Sequence, residues 1–181
     1  MPPTGRVVLL NGPPSCGKTT LARALQTELV EPVFHRSLDD FRAGYREADW
    51  LTDNGSLFER VMVGYLGALK AMANAGNDVV AEAVVTPSRL NLYLESFAGV
   101  SVVFVAVRCP IDVARAREAQ RTDRVRGPIN LPADAYEAVH SHGAYDIEVD
   151  TSTGSAAAMA RELAAQLQVT TPTAFDRLRG R

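Results

Sequence analysis

The sequence predicts an α/β fold built on a parallel sheet, and three observations carry that expectation. Apolar runs without polar alternation recur at residues 6–11, 79–85 and 100–107. Such runs suit strands covered on both faces, as parallel strands are. Between them lie segments with apolar residues at helical spacing, among them Leu21, Ala22, Leu25 and Leu29. The first run also ends in a Gly-rich turn that opens directly into a helical segment. Strand and helix alternating in this way call for right-handed crossovers over one sheet.

Taken in order, Arg6-Val7-Val8-Leu9-Leu10-Asn11 is a buried strand stopped by Gly12-Pro13-Pro14, and a helix follows over residues 18–29. Residues 32–38 form a weaker strand. Ser56-Leu57-Phe58-Glu59 has the capping-box spacing, so a helix is expected from Ser56 to about Ala75, ending at Gly76. The β-rich run at 79–85 ends at Thr86-Pro87, and residues 88–97 are expected to be helical. The strand at 100–107 is the clearest. Pro110 suits the first turn of a helix reaching about Arg121, and Pro132 is placed to open another. Residues 145–150 read as a strand and 154–167 as an Ala-rich helix, with a loose, partly basic tail expected over about 170–181. No repeat or linker divides the chain, so residues 1–181 are expected to form a single domain.

Composition narrows the function. The chain has 181 residues, 46% hydrophobic and 22% charged, which is globular composition. A chain of this size buries roughly 70% of its extended surface and needs no disulfide or metal staple. The net charge of -2 gives no general electrostatic reason to bind nucleic acid or an anionic membrane. No stretch approaches the roughly 18 apolar residues of a membrane span. The first six residues lack the pattern of a secretory signal, so a cytoplasmic protein is expected. Cys16 and Cys109 form neither a disulfide framework nor a zinc pattern, and the three histidines show no ligand spacing.

The chemistry concentrates in Gly12-Pro13-Pro14-Ser15-Cys16-Gly17-Lys18-Thr19, a complete G-x-x-x-x-G-K-T between strand and helix. Glycines let such a loop curl and turn its N–H groups inward, and the helix N-terminus faces the same anion. Lys18 is one of only two lysines against 17 arginines, and it falls on the position that reaches the β- and γ-phosphates. The Thr19 hydroxyl suits Mg²⁺. Residues 12–20, that is Gly12, Pro13, Pro14, Ser15, Cys16, Gly17, Lys18, Thr19 and Thr20, are the expected nucleotide contacts, with ATP and Mg²⁺ as cofactors. Cys16 reads as a small loop residue rather than a nucleophile.

Guanine-specific switches carry Asn/Thr-Lys-x-Asp. The other lysine, Lys70, is followed by Ala71-Met72-Ala73, so that class is excluded. The remaining common class is the small kinase, with an acceptor segment and an Arg-rich lid. Five arginines fall within residues 115–126, and a lid is expected over about 115–131. In a helix, Arg117, Arg121 and Arg124 share a face, placed to clamp phosphate. Arg121 is assigned to ATP contact. A hydroxyl acceptor needs a carboxylate to take its proton. Asp39 and Asp40 follow the second strand at its C-terminal end, where open parallel sheets bind ligands. Asp39 is preferred; a helix N-cap is the competing role for either residue, and Asp40 and Glu82 stay open as bases. Glu82, inside an apolar strand, needs a partner such as a metal-bound water or an arginine. Phe41, Tyr45, Trp50, Leu51 and Phe58 are candidates for an apolar acceptor pocket. Arg36, Arg42 and Arg46 are the arginines that a nucleotide acceptor would use.

Several pieces in this order resemble one family, the chloramphenicol phosphotransferase-like P-loop kinases, over about residues 6 to 168. They are Val7-Val8-Leu9-Leu10-Asn11-Gly12; Leu38-Asp39 after Glu31-Pro32; Val105-Ala106-Val107-Arg108-Cys109; Arg121-Thr122-Asp123-Arg124-Val125; and Tyr145-Asp146-Ile147-Glu148-Val149-Asp150-Thr151. The resemblance implies a central five-stranded parallel sheet flanked by helices. It implies transfer of the ATP γ-phosphoryl group to a hydroxyl of a small natural product, such as an amphenicol antibiotic, with resistance as a role. It also implies Asp39 as base and Arg124 as a catalytic or phosphate-clamping arginine. A nucleoside or metabolite kinase on the same core, and a nucleotide-binding module without turnover, are the alternatives.

Overall fold

The computed structural model describes residues 4–121 and 133–180. Five strands, β1 (Val7–Asn11), β2 (Val33–Arg36), β3 (Asp78–Ala83), β4 (Val102–Arg108) and β5 (Ile147–Asp150), form one sheet in the order β2-β3-β1-β4-β5. All neighbours pair in parallel, with Leu10 beside Glu82 on one side and Val105 on the other.

Both faces of the sheet are covered, which explains the unbroken apolar runs. Val7 and Leu9 of β1 point into one core layer, with Tyr65, Leu66 and Leu69 of α4 (Ser56–Asn74) and Tyr93 of α5 (Leu90–Ser96). Val8 and Leu10 point into the other, with Leu21 and Leu25 of α1 (Lys18–Glu28) and Leu163 and Leu167 of α8 (Ala156–Val169). β2 is one of the two edge strands and is only partly buried. Its weaker apolar signal follows from that position.

The remaining helices are short: α2 (Leu38–Arg42), α3 (Glu47–Leu51), α6 (Ile111–Ala119), α7 (Ala133–Ala138) and α9 (Ala174–Arg179). A 3-10 turn at Pro87–Arg89 leads into α5. Three expectations need correction. The box at Ser56 is not formed: Gly55 (φ 101°) precedes the helix, and the Asp53 carboxylate accepts from Leu57 N and Phe58 N at 2.9 and 3.1 Å. α6 stops at Ala119, short of Arg121. The expected loose tail contains α9, whose Phe175 sits edge-on to Phe104 at 5.2 Å. Asp146 Oδ1 accepts from Thr173 N and Ala174 N and so fixes its start. Phe175 and Leu178 are spaced to bury one face of a short helix, and that burial outweighs the polar composition around them.

Candidate active site

The Gly-rich loop leaves the C-terminal end of β1 and enters α1, at the edge where an open parallel sheet receives ligands. A Cβ on Gly12 would lie 2.3 Å from the Val107 carbonyl oxygen, so only glycine fits there. Gly17 stands at φ 98°, in the left-handed region, immediately before the helix. Ser15 also has positive φ, at 59°, and its hydroxyl donates to Glu118 of α6. The Lys18 ammonium is folded back on its own loop and donates to the carbonyls of Gly12 and Pro13, both at 2.8 Å. Cys16 is buried, and burial pushes its thiol up from the ordinary value, which suits a packing role rather than a nucleophile.

Thr19 and Glu82 meet across α1 and β3. The Thr19 hydroxyl donates to Glu82 Oε2 at 2.7 Å, and His35 Nε2 lies 3.0 Å from Glu82 Oε1. Glu82 therefore has partners, but not the arginine considered from sequence. A hydroxyl and a carboxylate side by side next to the loop are hard oxygen donors, as Mg²⁺ prefers. Among the described residues no cluster of three or more acidic, His or Cys side chains forms a complete metal cage. The residues thus fit an ion that takes its other oxygens from phosphate and water.

Asp39 and Asp40 separate cleanly. Ser37 caps α2: its hydroxyl accepts from Asp40 N at 3.3 Å, while Asp40 Oδ2 accepts from Ser37 N at 2.7 Å. Asp40 is thereby committed to the capping box. Asp39 is 68% exposed, pairs with Arg42 at 3.2 Å and lines a cavity of about 790 Å³.

That cavity joins the loop to α2 and the 3-10 turn. Pro14, Ser15, Gly17, Lys18, Thr19 and Thr20 line it, with Glu82, Asp39, Arg117 and Arg121. Gly12, Pro13 and Cys16 are buried behind the loop and do not. Of the five apolar candidates only Phe58 reaches the lining. Phe41 packs on Tyr65 at 5.3 Å, Tyr45 and Trp50 stack edge-on at 5.8 Å, and Leu51 is 66% exposed. Of the three candidate acceptor arginines only Arg42 lines it; Arg36 stacks on Phe34, and Arg46 pairs with Asp49.

The row of arginines expected to form a lid is split. Arg117 donates to the Thr151 carbonyl at 2.6 Å and to its hydroxyl at 3.1 Å, with the Cys16 carbonyl at 3.5 Å. It ties the end of β5 to the loop. Arg121, just past α6, lines the cavity. Arg124, Arg126 and the lid from residue 122 to 131 lie outside the described residues, as does Pro132. Sequence reasoning missed His35, Arg89, Met62, Tyr93 and Thr151. Each reaches the site through pairing or packing across many residues; Thr151 falls within the quoted 145–151 segment but without an assigned role, and the other four lie in no motif.

The matching family model, described as chloramphenicol phosphotransferase-like protein, covers residues 5–168. A curated Mycobacterium tuberculosis relative bearing the name "Putative O-phosphotransferase" is 32% identical over 205 residues, covering 99% of this chain and 90% of the relative. Among solved structures, the Deinococcus radiodurans tunicamycin resistance protein superposes with a TM-score of 0.66 at 18% identity, over 93% of this chain and 99% of that one. The Mycobacterium tuberculosis APS kinase, in complex with AMPPNP and APS, superposes with a TM-score of 0.64 at 17% identity, over 92% and 99%. The likeness to the APS kinase, with the G-x-x-x-x-G-K-T loop between β1 and α1, shows a P-loop kinase fold.

Proposed function

The chain belongs to the chloramphenicol phosphotransferase-like family, and we propose that it moves the γ-phosphoryl group of ATP to a hydroxyl of a small organic acceptor held beside Asp39. Family and fold make it an ATP-dependent phosphotransferase of the kinase type. The observation that carries the assignment is that Asp39 and the loop residues Lys18 and Thr19 line one continuous cavity.

Phosphoryl transfer asks a protein mainly for positioning and charge. The loop N–H groups and Lys18 receive the phosphates once Lys18 leaves the Gly12 and Pro13 carbonyls. Thr19 and Glu82 would hold Mg²⁺, which neutralises charge on the phosphate oxygens. Asp39 orients the acceptor hydroxyl and accepts its proton as the new O–P bond forms. The bond from the γ-phosphorus to the bridging oxygen breaks, and ADP leaves. Arg121 contacts phosphate, and Arg124 is assigned the transferring group on the strength of the family motif.

The acceptor class that the family points to is a natural product or antibiotic, with resistance as its consequence and the cytoplasm, where ATP is available, as its place. The M. tuberculosis relative's name supports an oxygen acceptor. An ADP-release screen over antibiotics, nucleosides and sugars, paired with thermal shift, tests the proposal. ADP release that depends on acceptor and is lost in Lys18→Met supports it. Nucleotide binding with no acceptor-dependent ADP release across all three classes would favour a module without turnover.

A further inference from the structure

We propose that the acceptor carries an anionic group besides its hydroxyl, and that Arg42 and Arg89 hold that group. This rests on the phosphotransferase reading and specifies its substrate class.

Among the described residues, the cavity lining has six cations, Lys18, Arg23, Arg42, Arg89, Arg117 and Arg121, against two carboxylates, Asp39 and Glu82. A magnesium-bound triphosphate held by the loop would lie against α1 and α6, near Lys18, Arg117 and Arg121. It accounts for neither Arg42, on α2, nor Arg89, at the end of the 3-10 turn. Arg42 shares α2 with Asp39, and Arg89 immediately precedes α5, which brings Tyr93 to the cavity.

Each of the pair is oriented by an aromatic ring. The Arg42 guanidinium lies 5.0 Å from the Trp50 ring centroid, and that of Arg89 lies 4.5 Å from Phe58. Stacking fixes the plane of the guanidinium and leaves its edge for hydrogen bonds. Neither is consumed by its acidic neighbour. Arg42 gives one N–H to Asp39, and Arg89 gives one to Glu59. The two carboxylates are 68% and 57% exposed, so both pairs are wet and exchange readily. Arg42 Nε is buried with no acceptor among the described residues. A guanidinium with unused N–H groups matches carboxylate, sulfate or phosphate, often bidentately. Phe58, Met62 and Leu38 supply apolar surface for the carbon body between anion and hydroxyl. A fully uncharged acceptor would desolvate both arginines and leave each with only its single N–H bond to Asp39 or Glu59.

The first test uses sulfate as the probe. Protein saturated with AMPPNP and Mg²⁺, so that the loop is filled, is titrated with sulfate in exchange for chloride at constant ionic strength. A saturable rise in melting temperature is expected in the wild type, with the apparent affinity at least tenfold weaker in Arg89→Gln and partly restored in Arg89→Lys. Equal sulfate responses in wild type and Arg89→Gln overturn the proposal. The second test compares turnover of matched acceptors: hydroxy acids against their amides, sugar phosphates against sugars, and sulfated against unsulfated nucleosides. At least a tenfold preference in kcat/KM for one charged class, collapsing in Arg89→Gln, supports the proposal and identifies the anion. Better turnover of the neutral partners overturns it while leaving phosphotransfer intact. Loss of AMPPNP stabilisation in Lys18→Met reports on the loop separately, so the two readings fail distinguishably.

Discussion

The Thr19 hydroxyl donates to Glu82 Oε2 at 2.7 Å, joining the first turn of α1 to β3 of the sheet. The contact places the two hard-oxygen side chains expected to share Mg²⁺ within one hydrogen bond of each other. Glu82→Gln keeps the shape and much of the hydrogen bonding but removes the charge. Turnover is expected to fall about 10²- to 10³-fold, the scale of losing one charge-stabilising group at a transferring phosphoryl. The Mg²⁺ concentration for half-maximal rate should rise, while ATP binding without metal stays close to wild type. An unchanged Mg²⁺ dependence would reduce Glu82 to a structural partner of His35.

Lys18→Met keeps the apolar stem and removes the ammonium. Lys18 is buried against its own loop, so the methionine stem preserves packing. Turnover should fall at least about 10²-fold, with the circular dichroism spectrum retained. Full activity would separate the loop from the chemistry.

Phe175→Ala tests the last helix. The ring is buried against Phe104 and Phe97, and its loss should cost about 3–5 kcal/mol, as for other buried aromatics. Urea unfolding checks this; a loss under 1 kcal/mol would mean that α9 packs only loosely.

Central strands and the phosphate loop were legible because local chemistry specifies them. Val7 to Leu10 are apolar since both faces are covered, and the loop needs glycine at two positions and lysine at one. α9 was misread since its signal is two apolar residues, Phe175 and Leu178, among polar ones. The split of Arg117 from Arg121 was equally hidden: helical spacing put them on one face, but Arg117 is claimed by Thr151, 34 residues away in sequence. His35 beside Glu82 depends on the register of β2 on β3, where His35 pairs with Val80. Long-range pairings of this kind leave no periodicity to read.

His140 gives a pH prediction. Burial, then Arg108 and His142, hold its imidazole down to about 4, with Glu148 opposing and Lys18 adding slightly. Unfolded, it titrates near about 6.5. The unfolded chain therefore binds the extra proton first as pH falls from about 6.5 toward about 4, and stability declines through that window. His140→Gln removes this contribution. The difference in melting temperature between wild type and His140→Gln should shift against the wild type as pH drops from 7 to 4. A pH-independent difference would count against the shift.

The last prediction separates Asp39 from Asp40. Adjacent carboxylates in α2 have different neighbours: Asp40 closes the capping box with Ser37, whereas Asp39 lines the cavity and touches Arg42. Asp39→Asn preserves size but cannot take a proton. Transfer should fall roughly 10²- to 10⁴-fold, the range for losing a positioned general base. ATP binding should hold, because the loop supplies the phosphate contacts, and stability should hold because Asp39 makes no cap. Asp40→Ala should do the reverse: a stability loss of about 1 kcal/mol, the scale of a helix cap, with turnover nearly intact at temperatures where the protein stays folded. Both variants are compared in the same chemical unfolding and ADP-release measurements, with an acceptor found by the screen. Full transfer in Asp39→Asn would move the base to Glu82 or remove base catalysis from the mechanism. A rate loss in Asp40→Ala as large as that in Asp39→Asn would show that α2 acts as a unit, with its cap setting the position of the carboxylate beside it.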